Sequence, residues 1–150
     1  ENSSPEVLFT LHIENTIPGP PQVESLTHPA AIAPEDAVSI SDGIFIFSPH
    51  ADNPAGPMGL AGYRWELSTG VTLGTATIVS SGDMTDNRLE LNSLGDNEEY
   101  QFYYLTVWAK GANGRESDLS TLYTFRIDST PPEDLRVIST SHSNSSIYYN

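Results

Sequence analysis

Residues 8–28, LFTLHIENTIPGPPQVESLTH, return at residues 122–142 as LYTFRIDSTPPEDLRVISTSH, in register and without a gap. Leu8/Leu122, Thr10/Thr124, Ile13/Ile127, Thr16/Thr130, Pro18/Pro132, Val23/Val137, Ser25/Ser139 and His28/His142 are identical. Chance would give about one or two matches in a window of this length, so the recurrence is a repeat. Its period of 114 residues, from Leu8 to Leu122, takes up most of a 150-residue chain. The chain reads as one complete unit carrying pieces of its neighbours, cut from a longer tandem array. The expected division is the last strand and hinge of a preceding repeat at 1–18, one domain at 19–130, and a hinge and first strand of a following repeat at 131–150.

The hydrophobic pattern sets what such a unit can become. Apolar and polar residues alternate in short runs, the period of a strand, and no long amphipathic stretch suggests a helix. The runs fall at 7–13 (VLFTLHI), 38–40, 44–47, 63–67 (YRWEL), 75–79, 88–91, 100–109 and 122–127 (LYTFRI). Between them lie turn clusters at 52–57, 80–83, 95–97 and 111–114. Eleven Gly and eleven Pro suit a chain with many turns. The pattern predicts an all-β fold, two antiparallel sheets packed as a sandwich. The prolines at 18, 20, 21, 131 and 132 follow the two copies of the last strand and are expected to stiffen inter-domain hinges.

The run 100–109 poses a register question. Tyr100, Phe102 and Tyr104 share one parity, and Leu105, Val107 and Ala109 the other. A one-residue slip flips every side chain, so a β-bulge near 104–106 is predicted to bring both sets inside. It would turn Trp108 outward and leave Tyr103 free to face outward too. The expected core is Phe45, Phe47, Tyr63, Trp65, Leu67, Leu89, Leu91, Leu94, Phe102, Val107, Tyr123, Phe125 and Ile127.

Leu60-Ala61-Gly62-Tyr63-Arg64-Trp65-Glu66-Leu67 resembles the third strand of fibronectin type III domains, I-x-G-Y-x-V-x-Y. Leu94-Gly95-Asp96-Asn97-Glu98-Glu99-Tyr100 keeps the Leu-to-Tyr spacing of that family's tyrosine corner, with Asp96 in place of its proline. Phe47-Ser48-Pro49 stands where the family has Trp-x-Pro. Asn113-Gly114, Ser117 and the end of the unit, Tyr123 to Pro132, are similar to repeats of bacterial and archaeal surface proteins. The resemblance covers about residues 20–130. It implies a fibronectin type III or immunoglobulin-like sandwich and an extracellular or cell-surface setting.

Charge and motifs narrow the function. Twenty acidic residues against six basic ones give a net charge of −14, which repels nucleic acid and anionic membranes. No window has the run of about 18 apolar residues needed for a spanning helix, so membrane insertion is not expected. There is no Cys. No G-x-S-x-G, P-loop, dinucleotide or H-E-x-x-H motif occurs, and no catalytic residue is assigned. The histidines at 12, 28, 50 and 142 show no zinc-type spacing, and two of them are one repeat position. Asn2-Ser3-Ser4 and Asn144-Ser145-Ser146 match the three-residue glycosylation pattern, which matters only in a eukaryotic secretory setting.

Two groups remain as candidates. Calcium takes six to eight oxygens, often from neighbouring loops. Asp83, Asp86, Asp96 and Asp128 are the residues that would supply them, and calcium is the one cofactor considered. Tyr103 and Trp108, if both exposed, would make an aromatic platform for a sugar ring or a protein partner. The expected function is a non-catalytic structural or adhesion module, a spacer whose partners are neighbouring repeats of the same polypeptide. The alternative is a carbohydrate- or protein-binding module using an aromatic face around Trp108.

Overall fold

Strand formation follows the alternation. In β2 (Gly43–Ser48) Phe45 and Phe47 point inward and are fully buried, while Ile44 and Ile46 are half-covered on the other side. β5 (Arg88–Leu91) repeats this with Leu89 and Leu91. These two strands and β1 (Gln22–Ser25) form a three-stranded sheet in the order β1-β2-β5. The second sheet runs β4-β3-β6-β7, with β3 (Leu60–Gly70), β4 (Thr77–Met84), β6 (Phe102–Gly111) and β7 (Thr121–Phe125). Every ladder is antiparallel. The computed structural model describes residues 8–11, 13–97 and 101–130.

The two sheets close on one core: Phe45, Phe47, Leu89 and Leu91 from the smaller, and Tyr63, Leu67, Tyr103, Leu105, Val107, Ala109 and Phe125 from the larger, with Ile127 just beyond β7. Each large side chain fully buried there contributes about 1.5–3 kcal/mol. Trp65, Leu94 and Tyr123 pack against this core from partly exposed positions. The fold is an all-β, two-sheet sandwich of the fibronectin type III or immunoglobulin-like kind, as the pattern and the resemblance implied.

Four expectations are corrected. First, β6 has no bulge at 104–106. From Phe102 to Lys110 each of its residues meets its β3 partner in step, and the irregularity lies across the ladder in β3, between Leu60 and Gly62. Gly62 has φ 152°, and a Cβ there would run into the Met84 carbonyl. Second, the inward parity is therefore Tyr103, Leu105, Val107 and Ala109, and Phe102 is only half-buried. Phe102 and Tyr104 need no bulge because other segments cover them. The Tyr104 hydroxyl donates to the Val71 carbonyl, and the Arg126 guanidinium lies 6.0 Å from the Phe102 ring centre. Third, residues 80–83 are not a turn but the body of edge strand β4. Gly82 lies close under the Trp65 indole, where a Cβ would come within 3.2–3.3 Å of the ring. Fourth, residues 8–11 and 13 are not in a strand, and Leu8, Phe9, Leu11 and Ile13 are exposed. The run 38–40 shrinks to a single bridge, Val38 to Ile127.

The chain reaches β1 at one end of the sandwich and leaves β7 at the other. Gln22 pairs with Ser48 at the end that also carries loops 49–59 and 111–120, called the top. β7 finishes beside the start of β6 at the opposite end, the bottom. Among the described residues no helix is long and apolar enough to cross a membrane.

Candidate functional site

Trp108 lies on the outer side of the four-stranded sheet, directly across from Arg64 on β3. The Arg64 guanidinium carbon sits 3.8 Å from the ring centre, so one indole face is occupied. Two carboxylates hold that guanidinium in place. Nη1 donates to Glu66 at 2.7 Å and Nε to Glu116 at 3.1 Å. Lys110 Nζ adds Asp83 at 2.8 Å. Tyr103 is not beside Trp108. It is buried on the inner side, and its hydroxyl donates to the Gly95 carbonyl at 2.9 Å. The two-aromatic platform is thus corrected to a single tryptophan capped by an arginine, because both residues belong to one regular strand with opposite parity.

The Tyr103 bond is of the tyrosine-corner type, tying the start of β6 to the loop before it. Tyr100, which the Leu-to-Tyr spacing picks out for that role, lies outside the described residues. The tyrosine's own burial raises its pKa above the ordinary value, with the Gly95 bond opposing.

The four candidate calcium ligands divide between the ends. Asp83 is paired with Lys110, and Asp86 is in the turn between β4 and β5 near the top. Asp96 and Asp128 are at the bottom, both bonded to the outgoing chain. Among the described residues no three His, Cys, Asp or Glu side chains come together as a metal-binding group.

A further set of polar groups grips the chain as it arrives and departs. At the top, Asn113 Nδ2 donates to the Thr16 carbonyl at 2.8 Å and Asn53 Nδ2 to the Ile17 carbonyl at 3.0 Å. The Asn53 carbonyl accepts from the Gly19 amide at 3.0 Å. Pro18 and Pro21 are buried, so the first proline segment lies on the sandwich. Gly56, with φ 73°, leaves open the space that Thr16 and Glu14 fill; a Cβ would come within 2.9 Å of Thr16. At the bottom, Asn97 is buried and pins Ile127 twice, its amide donating to the Ile127 carbonyl at 2.9 Å and its Oδ1 accepting from the Ile127 amide at 2.8 Å. Asp96 Oδ1 accepts from the Ser129 hydroxyl at 2.6 Å and the Ser129 amide at 2.9 Å, and Oδ2 from the Thr130 hydroxyl at 3.5 Å. Those bonds, the Ser129 hydroxyl foremost, hold the Asp96 carboxyl below the usual range.

The positions shared by the two sequence copies have structural jobs. Ile127 is fully buried and Val23 packs on the core. Ser25 and His28 build the turn after β1. The Ser25 hydroxyl donates to the Ile44 carbonyl at 3.1 Å and accepts from the His28 amide at 2.9 Å. His28 is itself buried between the rings of Phe45 and Phe125. Its Nε2 donates to the Ile40 carbonyl at 2.8 Å, which leaves Nδ1 to accept from the Thr27 hydroxyl at 2.8 Å. Thr27 Oγ1 in turn accepts from the Ile44 amide at 3.0 Å. Every member is satisfied with a neutral imidazole, and burial lowers the His28 pKa against the pull of the Ile40 bond. The signal for this turn was present in the recurrence as Ser-x-Thr-His at 25–28 and Ser-x-Ser-His at 139–142.

No protein-family model matches the chain, and no curated protein matches it. Solved structures do. The PKD domain of the human VPS10 domain-containing receptor SorCS2 has a TM-score of 0.44 at 12% identity, covering 88% of this chain and 93% of its own. A fourth fibronectin type III domain, also human, has a TM-score of 0.45 at 22% identity, covering 87% and 96%. The domain of human fibronectin type III domain containing protein 3 has a TM-score of 0.40 at 15% identity, covering 80% and 96%. What the chain's own strand order establishes is a sandwich of the fibronectin type III or immunoglobulin-like fold.

Proposed function

We propose that this protein is a non-catalytic spacer module of an extracellular or cell-surface protein, repeated in tandem and holding other domains at set distances. Sandwiches of this fold generally serve as structural or adhesion modules, and fold alone carries no chemistry. The observation that carries the reading is one hydrogen bond made twice. The Thr16 amide donates to Glu14 at 2.8 Å, and 114 residues on the Thr130 amide donates to Asp128 at 3.1 Å. The segment that precedes the sandwich and the segment that follows it thus share a carboxylate-to-amide bond at one repeat position, which supports reading them as successive copies. Arrival at the top and departure at the bottom suit a linear array.

The test is to lengthen the chain by one period, residues 1–130 followed by 17–150. The added period should fold as a second sandwich, doubling the molar ellipticity and unfolding near the temperature of the first. An added period that stays unfolded would reject the tandem reading.

A further inference from the structure

The groups that grip the chain at the top and at the bottom form two clasps, and the repeat places them on the same few residues. Thr16 and Thr130 are one repeat position, as are Asn15 and Ser129, and Glu14 and Asp128. From behind, Asp96 of a unit holds Ser129 by its amide and hydroxyl and Thr130 by its hydroxyl. From ahead, Asn113 holds the carbonyl of Thr16, the counterpart of Thr130. The two grips use different atoms of the threonine, hydroxyl on one side and carbonyl on the other, so both can act at once. The preceding residue suits the rear grip in both copies, since Asn15 offers a side-chain N–H where Ser129 offers a hydroxyl.

The geometry points to a docking surface between successive units, in which the Asp96 loop of one domain and the Asn113 loop of the next hold a single shared Thr130, while the Asn53 loop of the next holds the counterparts of Ile17 and Gly19 that follow it, leaving no free linker residue. The occupant of the top of each domain is thus the bottom of a second copy of the same sandwich. This rests on the tandem reading and adds to it a fixed orientation. A chain joined by even a few unrestrained residues would let the two domains tumble separately. Here Ile127, Ser129 and Thr130 are bonded to the domain behind, and the counterparts of residues 130, 131 and 133, namely Thr16, Ile17 and Gly19, are bonded to the domain ahead. The shared tripeptide is braced internally as well, by the amide-to-carboxylate bond found in both copies.

The same lengthened chain tests this with a different readout. Amide 15N relaxation should give one rotational correlation time common to both sandwiches, and small-angle scattering a sharply bounded rod. Asp96→Ala in the leading unit removes the rear grip. Asn113→Asp in the following unit removes the donor to the threonine carbonyl but keeps Oδ1, which accepts from the Arg115 amide at 3.0 Å and shapes that loop. The double variant should retain both folded sandwiches and lose the common correlation time, each domain then tumbling faster. Two folded domains that already tumble independently before substitution would overturn the docking surface while leaving the tandem reading intact. Failure of the second period to fold would reject both. A common correlation time that survives the double substitution would also overturn the proposal, since some other contact would then set the orientation.

Discussion

Residues 122–127 and 8–13 are near-copies in sequence, yet the described residues of the second, 8–11 and 13, are placed oppositely to their counterparts in the first. In the first, Phe125 and Ile127 are 0% exposed; in the second, their counterparts Leu11 and Ile13 are 74% and 77% exposed. The pattern LxTxxI is the same in both. What differs is the neighbour. β6 offers 121–125 an open ladder edge, and Phe45, His28 and Tyr103 offer Phe125 a ring-lined floor. Nothing of the kind faces residues 8–11 and 13 among the described residues. Alternation therefore dictates which side a strand buries once it has a sheet, and it does not supply the sheet.

The contrast is broken most directly at its centre. Phe125→Ala should cost about 3–5 kcal/mol, because the ring sits where both sheets meet and its loss leaves a cavity. Leu11→Ala should change stability by less than about 0.5 kcal/mol, as exposed substitutions do. Urea titrations of the two variants measure both, and equal losses would mean that residues 8–13 are buried in solution.

Acid sharpens the contrast next, through the floor under Phe125. Burial holds the His28 pKa below its ordinary value. The folded state therefore keeps His28 neutral while the unfolded chain takes up a proton near pH 6.5. Stability from this residue is complete above that pH and is lost as pH falls below it towards the folded value, by at most about 1.4 kcal/mol per pH unit for one proton. The urea midpoint should drop between pH 7.5 and pH 5.5, and His28→Asn should flatten that drop. An equal drop in the variant would assign the acid sensitivity to another group.

Two smaller effects separate the inner and outer sides of β6. Tyr103→Phe keeps the ring stacked at 5.2 Å on Phe125 but deletes the hydroxyl bond to Gly95, a loss of about 1 kcal/mol. Arg64→Met removes the cation–π contact with Trp108 together with the half-exposed ion pairs to Glu66 and Glu116, and should cost about 0.5–1 kcal/mol, since such contacts and surface ion pairs are each worth little. A larger loss at Arg64 than at Tyr103 would reverse the ranking of the two sides.

Much of the sandwich could be read from the chain. β3, β5 and β7 announce themselves by alternation at 63–67, 88–91 and 123–127, β2 by the short apolar run IFIF, and the Gly62-Tyr63 pair marks the third strand. β4 was half hidden because an edge strand needs no apolar side, so Ser80-Ser81-Gly82-Asp83 looked like a turn. The parity of β6 was misread for a related reason. Phe102 and Tyr104 are covered by Arg126 and the backbone at Val71, and no rule of local spacing foresees that cover. The clasps were illegible because their partners are remote: Asn113 meets Thr16 across 97 residues, and Asp96 meets Ser129 across 33. The Ser-x-Thr/Ser-His turn was in plain view as a repeated pair, and only its bonding pattern was missing.

Entry into β1 at the top and exit from β7 at the bottom have a further physical result. β1 and β7 lie next to each other at the edges of the two sheets and run the same way, since the Thr121 hydroxyl donates to the Pro21 carbonyl at their starts and, further along both, the Tyr123 hydroxyl donates to the His28 carbonyl and the Ala31 amide to the Thr124 carbonyl. A tug on the two termini is then directed along the strands, one drawn upward and the other downward. The β1–β2 and β6–β7 ladders meet that load in shear, with their rungs strained together instead of peeling open one after another.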